Sequence, residues 1–322
     1  VTAWLLRRAL AGVVAIWVVS LIVFAATVAL PSDPARTILG PDARPEEIAK
    51  LHHRLGLDDG LLVRYGRWLA DAVRFDFGKS LDTSVPVTTT VGGWLSNTLA
   101  LLLVVLAVSV PLALWLGTVA ALRRDSWLDR AVVNVAVLCK AIPGFVLAVV
   151  LILVFATSVF EFLPAASLLD PRRSALAQPT YVVLPAIALI VSTVPYLLRQ
   201  VRAAVVAALD SDYVLAARLR GLPPRAVLAR HVLPNALVPA IQGLALTTSV
   251  LIGGTVVIEV AFSYPGIGSG LDGAVGMRDL PVVQASVLAI AAGVVAVNLA
   301  ADVATVLLTP RLRTATDLGA LA

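Results

Sequence analysis

The stretch Asp210–Asn235, reading DSDYVLAARLRGLPPRAVLARHVLPN, decides the fold, because it is the only long polar segment in the second half of the chain. Apolar runs long enough to cross a bilayer stand on either side of it. It reads as two short helices. Ser211 or Asp210 is placed to cap the first, since a short side-chain oxygen accepts from the unpaired N–H groups of a first turn. Gly221 is placed to end that helix in a left-handed C′ conformation, which costs a residue without Cβ little. Pro223 or Pro224 opens the second helix, and Leu233-Pro234-Asn235 closes the unit before the next apolar run. The reading is a rigid, basic helical hairpin held against a membrane, a surface suited to being pushed on.

Composition supports the membrane. Apolar residues make up 59% of the 322 and charged residues 14%, against about half and about a quarter in globular proteins. Lipid must therefore serve as part of the solvent. The single Cys139 lies within an apolar run, which excludes an intrachain disulfide and implies no thiolate metal site. The net charge of +5 comes from arginines in loops that flank apolar spans. Headgroups and the orientation rule account for them better than nucleic acid, for which there is no basic stripe interleaved with aromatics.

Working outward from the hairpin, six crossings are expected: Ala9–Leu30, Leu99–Leu122, Ala131–Phe160, Tyr181–Leu198, Ala236–Phe262 and Val282–Leu308. The first, preceded by Arg7 and Arg8, is too long an apolar run for a signal peptide and has no clean cleavage site before Pro31. The chain thus divides into residues 1–30, a polar segment 31–97 and a core 98–322 that carries the hairpin at 210–235. The polar segment holds eight Lys or Arg against nine Asp or Glu. Its apolar positions (Ile48, Leu51, Leu55, Leu62, Trp68, Leu69) are expected to pack it on itself and on the membrane face, as a small extracytoplasmic subdomain. Adjacent His52 and His53 point about 100° apart on a helix and lack a third ligand, so they read as solvated.

Charge sets the orientation. With both termini inside, the internal segments carry thirteen Lys or Arg, and the two short external loops carry three (Arg172, Arg173, Arg278). Loops longer than about 60 residues count little in this rule, so the long segment is set aside. The hairpin is therefore expected on the cytoplasmic face. Two motifs mislead. Gly78-Lys79-Ser80 resembles the end of a phosphate loop, yet Val73 stands where the leading glycine belongs. The run Gly268 to Gly273 satisfies G-x-G-x-x-G, but a membrane span precedes it instead of a strand, so tight turning of a loop is the expected role.

The hairpin resembles the EAA loop of type I ABC importer permeases, on Ala216-Ala217, Gly221 four residues on, and His231-x-Leu233-Pro234 after nine more. Asp212-Tyr213-Val214 through Arg218 and Gly221-Leu222 resemble the dipeptide, oligopeptide and nickel branch. Leu215 stands where the general motif has glutamate, as is usual in that branch, and His231 where an aliphatic residue is common. The resemblance continues through Leu30-Pro31-Ser32-Asp33-Pro34-Ala35, Leu55-Gly56-Leu57-Asp58 and Phe77-Gly78-Lys79-Ser80-Leu81. It ends with Glu259-x-x-Phe262-Ser263-Tyr264-Pro265-Gly266-Ile267-Gly268, Asn298-Leu299-x-x-Asp302 and Pro310-Arg311-Leu312-Arg313, so it covers nearly the whole chain in order. It implies an all-α membrane protein of six transmembrane helices that imports peptides, with nickel or metal–opine complexes as the alternative cargo. It also implies a second homologous permease, in a heterodimer, two cytoplasmic ATPase subunits that hold the ATP and Mg, and an external substrate-binding protein. No cofactor is expected on this chain. The coupling surface it implies comprises Asp212, Tyr213, Ala216, Ala217, Arg218, Arg220, Gly221, His231, Leu233 and Pro234, with Arg225 and Arg230 further candidates for acidic partner surfaces or headgroups.

Charges inside a bilayer are costly, about 2.5–3.5 kcal/mol at its centre, so they face a pathway or pair. Lys140, ten residues past Arg130 in the sequence, is expected near the midplane and facing the pathway or an acid on a partner. Gln242, Thr247, Thr248, Ser249, Thr255 and Glu259 give the fifth span a polar lining, or else close helix packing. Asn298 and Asp302 share a helix face and so are expected to share a hydrogen-bond network. An intramembrane hydrolase is disfavoured: the only histidines are His52, His53 and His231, none within a span, and no H-E-x-x-H helix exists. A passive channel would not need the hairpin.

Overall fold

The computed structural model describes residues 2–29, 44–54 and 58–308. The motif segments 30–35, 55–57 and 310–313 lie outside the described residues, as do the side chains of Leu51 and His52. The described elements are helical: α1 (Thr2–Ala29), α2 (Pro45–Arg54), α3 (Leu61–Val73), α4 (Val87–Leu122), α5 (Trp127–Ala141), α6 (Gly144–Ile152), α7 (Pro179–Leu209), α8 (Asp212–Leu219), α9 (Pro224–Val227), α10 (Leu233–Ala261), α11 (Ile267–Gly276) and α12 (Leu280–Leu308). Five of them (α1, α4, α7, α10 and α12) are long and apolar enough to span a bilayer alone.

The remaining span departs from expectation. Ala131–Phe160 was expected as one continuous crossing, but the chain bends by 92° between α5 and the segment Gly144–Ser158. The cause is Ile142-Pro143: Ile142 is extended (φ −80°, ψ 122°) and Pro143 restarts the helix as its N-cap. The residue before a proline is biased away from the helical region, and with Gly144 following Pro143 the dipeptide ends α5 here. Helix α6 then widens into a π turn over Leu153–Ser158. The second span also begins earlier than expected, at Val87, and runs unbroken to Leu122 despite Pro111. Residues 87–97 thus belong to the long helix rather than to the polar segment.

The core is built around α7, whose buried Leu184, Ala186, Ala188 and Leu189 meet Leu101, Leu102 and Val105 of α4 and Leu251, Ile252 and Ile258 of α10. Small residues set the spacing. A Cβ on Gly117 of α4 would come within 2.8 Å of the Leu198 carbonyl oxygen of α7. Helix α1 lies against α12, tied by Arg8 to the 7%-exposed Asp302 side chain and by Gln284 Nε2 donating to Thr27 Oγ1 at 2.7 Å. Helix α3 is held on α1 by an aromatic cluster of Phe24, Tyr65 and Trp68, and the Ser20 and Tyr65 hydroxyls bond at 2.7 Å. Leu62, expected to pack inward, is instead 87% exposed, and it is Tyr65 and Trp68 that meet Phe24 of α1.

The Gly78-Lys79-Ser80-Leu81 segment has a structural task. Gly78 takes φ +72°, Lys79 bridges to Pro86, and the Ser80 hydroxyl and Leu81 N–H both donate to the buried Asp279 carboxylate, one residue before α12. The turn therefore docks the polar segment on the last span.

Candidate functional site

Three sites can be built from the residues upward. The first is the hairpin. Helix α8 ends in a Schellman motif: Gly221 has φ +77°, its N–H donates to Arg218 O (2.9 Å), and Leu222 N–H donates to Ala217 O (3.4 Å). Ser211 is the N-cap residue, but its hydroxyl donates back to Ala208 O and does not cap the helix. Val214 and Ala217 point inward, packing with Val227 and Val232 on Ala121 of α4, Val201 and Val205 of α7 and Ala236 of α10. This apolar seam fixes the hairpin to three spans at once. Tyr213, Leu215, Leu219 and Leu222 point outward and are exposed. Asp212, Ala216, Arg218 and Arg220 are exposed beside them.

The second half of the hairpin is not a separate closed helix, as the sequence reading had it. Helix α9 passes through a π turn at Leu228–Val232 directly into α10, with Leu233-Pro234 in its first turn. The wider turn relieves the clash that a proline ring makes with the carbonyl four residues back. His231 lies within that turn, where its carbonyl accepts from Asn235 Nδ2 at 2.7 Å. Arg225 and Arg230 are exposed. At the same end of the molecule, Arg202 of α7 donates twice to Asp129 of α5, at 2.6 Å each, and Arg124 pairs with Asp210 at 2.9 Å.

The second site is a cavity of about 540 Å³ between the broken span, α7 and α10. Lys140 and Thr247 line it, together with Cys139, Ser192, Thr193 and Tyr196. Four other residues expected on a pathway lie elsewhere, for identifiable reasons. Gln242 Nε2 donates to Thr305 Oγ1 and Ser249 Oγ accepts from Asn298 Nδ2, both at 2.8 Å, so these residues join α10 to α12. Thr248, one position round the helix from Thr247, lies off the cavity wall, and its hydroxyl donates to Leu244 O on its own helix. Thr255, 0% exposed, likewise bonds its own helix at Ile252 O. Asn298 and Asp302 do not share a network: one meets Ser249, the other Arg8.

Glu259, expected in the polar lining of the fifth span, is the centre of the third site and is fully buried. Its carboxylate accepts from Thr98 Oγ1 (2.7 Å), Gly268 N–H (2.7 Å) and Ser269 N–H (3.1 Å), so it sits on the N-terminus of α11. Thr98 Oγ1 in turn accepts from Ile267 N–H at 2.9 Å, Asn97 Nδ2 donates to Pro265 O, and the Tyr264 hydroxyl donates to Asn97 O. Burial pushes the Tyr264 pKa upward, which keeps the hydroxyl a donor. The G-x-G-x-x-G run is thus a helix rather than a turn. Its glycines serve close approach: a Cβ on Gly268 would lie 2.7 Å from Val256 Cα, and one on Gly270 2.3 Å from the Trp94 ring.

These three sites on six apolar crossings match a known family along almost all of the chain. Residues 109–314 match the model described as "Binding-protein-dependent transport system inner membrane component", and residues 1–102 match the N-terminal model of the same membrane components. The chain belongs to this family. It is a multi-pass permease subunit of the ABC importers. A putative peptide transport system permease protein of Brucella abortus is 35% identical over 312 residues, 97% of this chain and 99% of that protein. The metal-staphylopine import system permease protein of Staphylococcus aureus is 35% identical over 300 residues, 92% and 93% of the two chains. A glutathione transport system permease protein of Escherichia coli is 32% identical over 310 residues, 96% and 98%.

Sequence reasoning missed Ser192, Thr193 and Tyr196, which sit in an apolar run without charge. It also missed the break at Ile142, although the Pro143-Gly144 dipeptide is a strong breaker signal.

Proposed function

We propose that this chain is one of two membrane-spanning subunits of an ATP-driven importer of peptides, with its hairpin and both termini in the cytoplasm. Two ATPase subunits hold the ATP and Mg, an external binding protein delivers the solute, and a homologous permease completes the pathway. Helix α8 seats in a groove on an ATPase subunit through Tyr213, Leu215 and Leu219, with Leu222 of the following turn beside them and Arg218 and Arg220 at the edge. ATP-driven closure pushes the hairpins together, and the spans answer as rigid bodies, so access to the cavity alternates. The carrying observation is the apolar seam from Val214 and Ala217 to Val205, Ala121 and Ala236. Force applied to α8 has no soft joint in which to dissipate.

The test places a single cysteine at Leu219, 79% exposed, in a Cys139→Ala background. A membrane-impermeant maleimide is expected to reach it only from the cytoplasmic side, and less when the ATPase subunits are bound. Labelling from the outside would sink the orientation and the coupling together. The peptide assignment is tested separately by purifying the complex with its binding protein and identifying what that protein retains. Metal–opine complexes are the second reading, favoured by the 35% identity to the staphylopine-system permease.

A further inference from the structure

The break in the third span opens onto the cavity. Helix α6 starts there without a cap, since the Pro143 side chain has no acceptor, and the first N–H that meets a carbonyl is that of Leu147, to Pro143 O at 3.1 Å. The N–H groups of Gly144, Phe145 and Val146 have no acceptor among the described residues. Gly144 and Phe145 form part of the cavity wall. So does Lys140, the only wall residue charged at neutral pH, whose exposed side chain makes no ion pair among the described residues. Thr193 stands in the same wall, 2% exposed, and its Oγ1 is buried without a partner among the described residues. The rest of the wall is largely apolar and contains no acid.

Each of these features favours negative charge. An uncapped helix start carries roughly half a positive charge and free donors. An ammonium adds a full charge, and an unpaired buried hydroxyl gains from any acceptor brought to it. At about 540 Å³ the cavity lies within the range of small-molecule sites, about 300–1,000 Å³.

We propose that this cavity holds a carboxylate subsite. The solute's carboxylate sits between the first-turn N–H groups of α6 and Lys140 Nζ, the Thr193 hydroxyl, closed off from the cavity in this structure, turns out of the wall to donate a further bond, and the apolar part of the solute lies against α7 and α10. The proposal deepens the peptide reading and depends on it only for the identity of the solute. A structural task for Lys140, neutralising the C-terminal carbonyls of α5, is the competing account.

The complex of permeases and ATPases, purified in lipid nanodiscs without binding protein, is titrated by saturation-transfer NMR with two probe pairs. One pair is the dipeptide Ala-Phe and its C-terminal amide; the other is 3-phenylpropionate and 3-phenylpropionamide. In the parent protein each acid is expected to bind about tenfold tighter than its amide, the order of one charge-assisted hydrogen bond. Lys140→Met should erase that ratio and Lys140→Arg retain most of it, while Thr193→Val reduces it. A preference seen only with the propionate pair keeps the subsite and counts against peptides as the cargo. Equal binding of acid and amide in both pairs overturns the subsite. So does a Lys140→Met protein that melts lower but keeps the ratio.

Discussion

Glu259 shows how a residue can be noticed in the sequence and still be misjudged. An acid near the end of an apolar run reads as solvated or lining a pathway, but its partner Thr98 lies 161 positions away, and no local pattern reports it. The glycines after it carry the complementary signal. Gly266 and Gly268 are small because the Glu259 carboxylate fills the space a Cβ would need, at 2.3 and 2.8 Å. Gly268→Ala should therefore lower stability by about 1–3 kcal/mol, the usual cost of overpacking, because backbone at Val256 cannot yield. Gly273→Ala, with open space at its Cβ, should be neutral or slightly stabilising. Thermal unfolding of the detergent-solubilised protein compares the two directly. Glu259→Ala strands three buried donors, at about 1–3 kcal/mol each, and should lower the melting temperature more than Glu259→Gln, which keeps acceptor oxygen in place. Equal melting of Glu259→Ala and the parent would show that the carboxylate does not hold α11.

At the scale of elements, the turn that ends the hairpin's first helix was the most legible part, because turn chemistry is local. Gly221 announced its left-handed conformation, and the φ of +77° bears that out. The helix junctions were less legible: Pro143 breaks its span, whereas Pro111, Pro185, Pro195 and Pro239 sit inside continuous helices. A proline alone does not distinguish these outcomes; the extended conformation of Ile142 and the glycine following Pro143 do. Gly221→Ala places a Cβ in the left-handed region at about 1–2 kcal/mol. Gly221→Pro is worse, since a φ near −65° is incompatible and the N–H to Arg218 O is lost. On the proposed coupling, membrane insertion should be normal in both. Uptake per inserted transporter should fall partly in the alanine variant and almost wholly in the proline one, measured in vesicles with the protein quantified by blotting. Normal uptake by the proline variant would remove α8 from the transport cycle.

For the whole molecule, the question is how a push at α8 reaches a cavity near the middle of the bundle. The number and order of the spans were legible from hydropathy, because lipid imposes a minimum apolar length on each. Their mutual contacts were not, since nearly every face of an apolar helix is equally acceptable to lipid and to another helix. The seam at Val214 couples α8 to α4, α7 and α10, but α5, whose end carries Lys140, takes no part in it. The polar link between α5 and the bundle at this end is Arg202 with Asp129, whose side chain is only 4% exposed. Breaking this part-buried pair from one side leaves the Asp129 or Arg202 charge without its partner, at about 1.5–3 kcal/mol, the order of a hydrogen bond to a charged group. Asp129→Asn and Arg202→Gln are therefore each expected to leave ATP hydrolysis by the assembled complex running while solute uptake drops severalfold, since the broken span no longer follows α7. If the pair acts as one link, the double variant is no slower in uptake than the worse single variant. Independent, multiplying losses would mean that the two residues act separately, and unchanged uptake in both single variants would mean that α5 is driven through the apolar contacts of Ala136 with Ala113 and Leu197 instead.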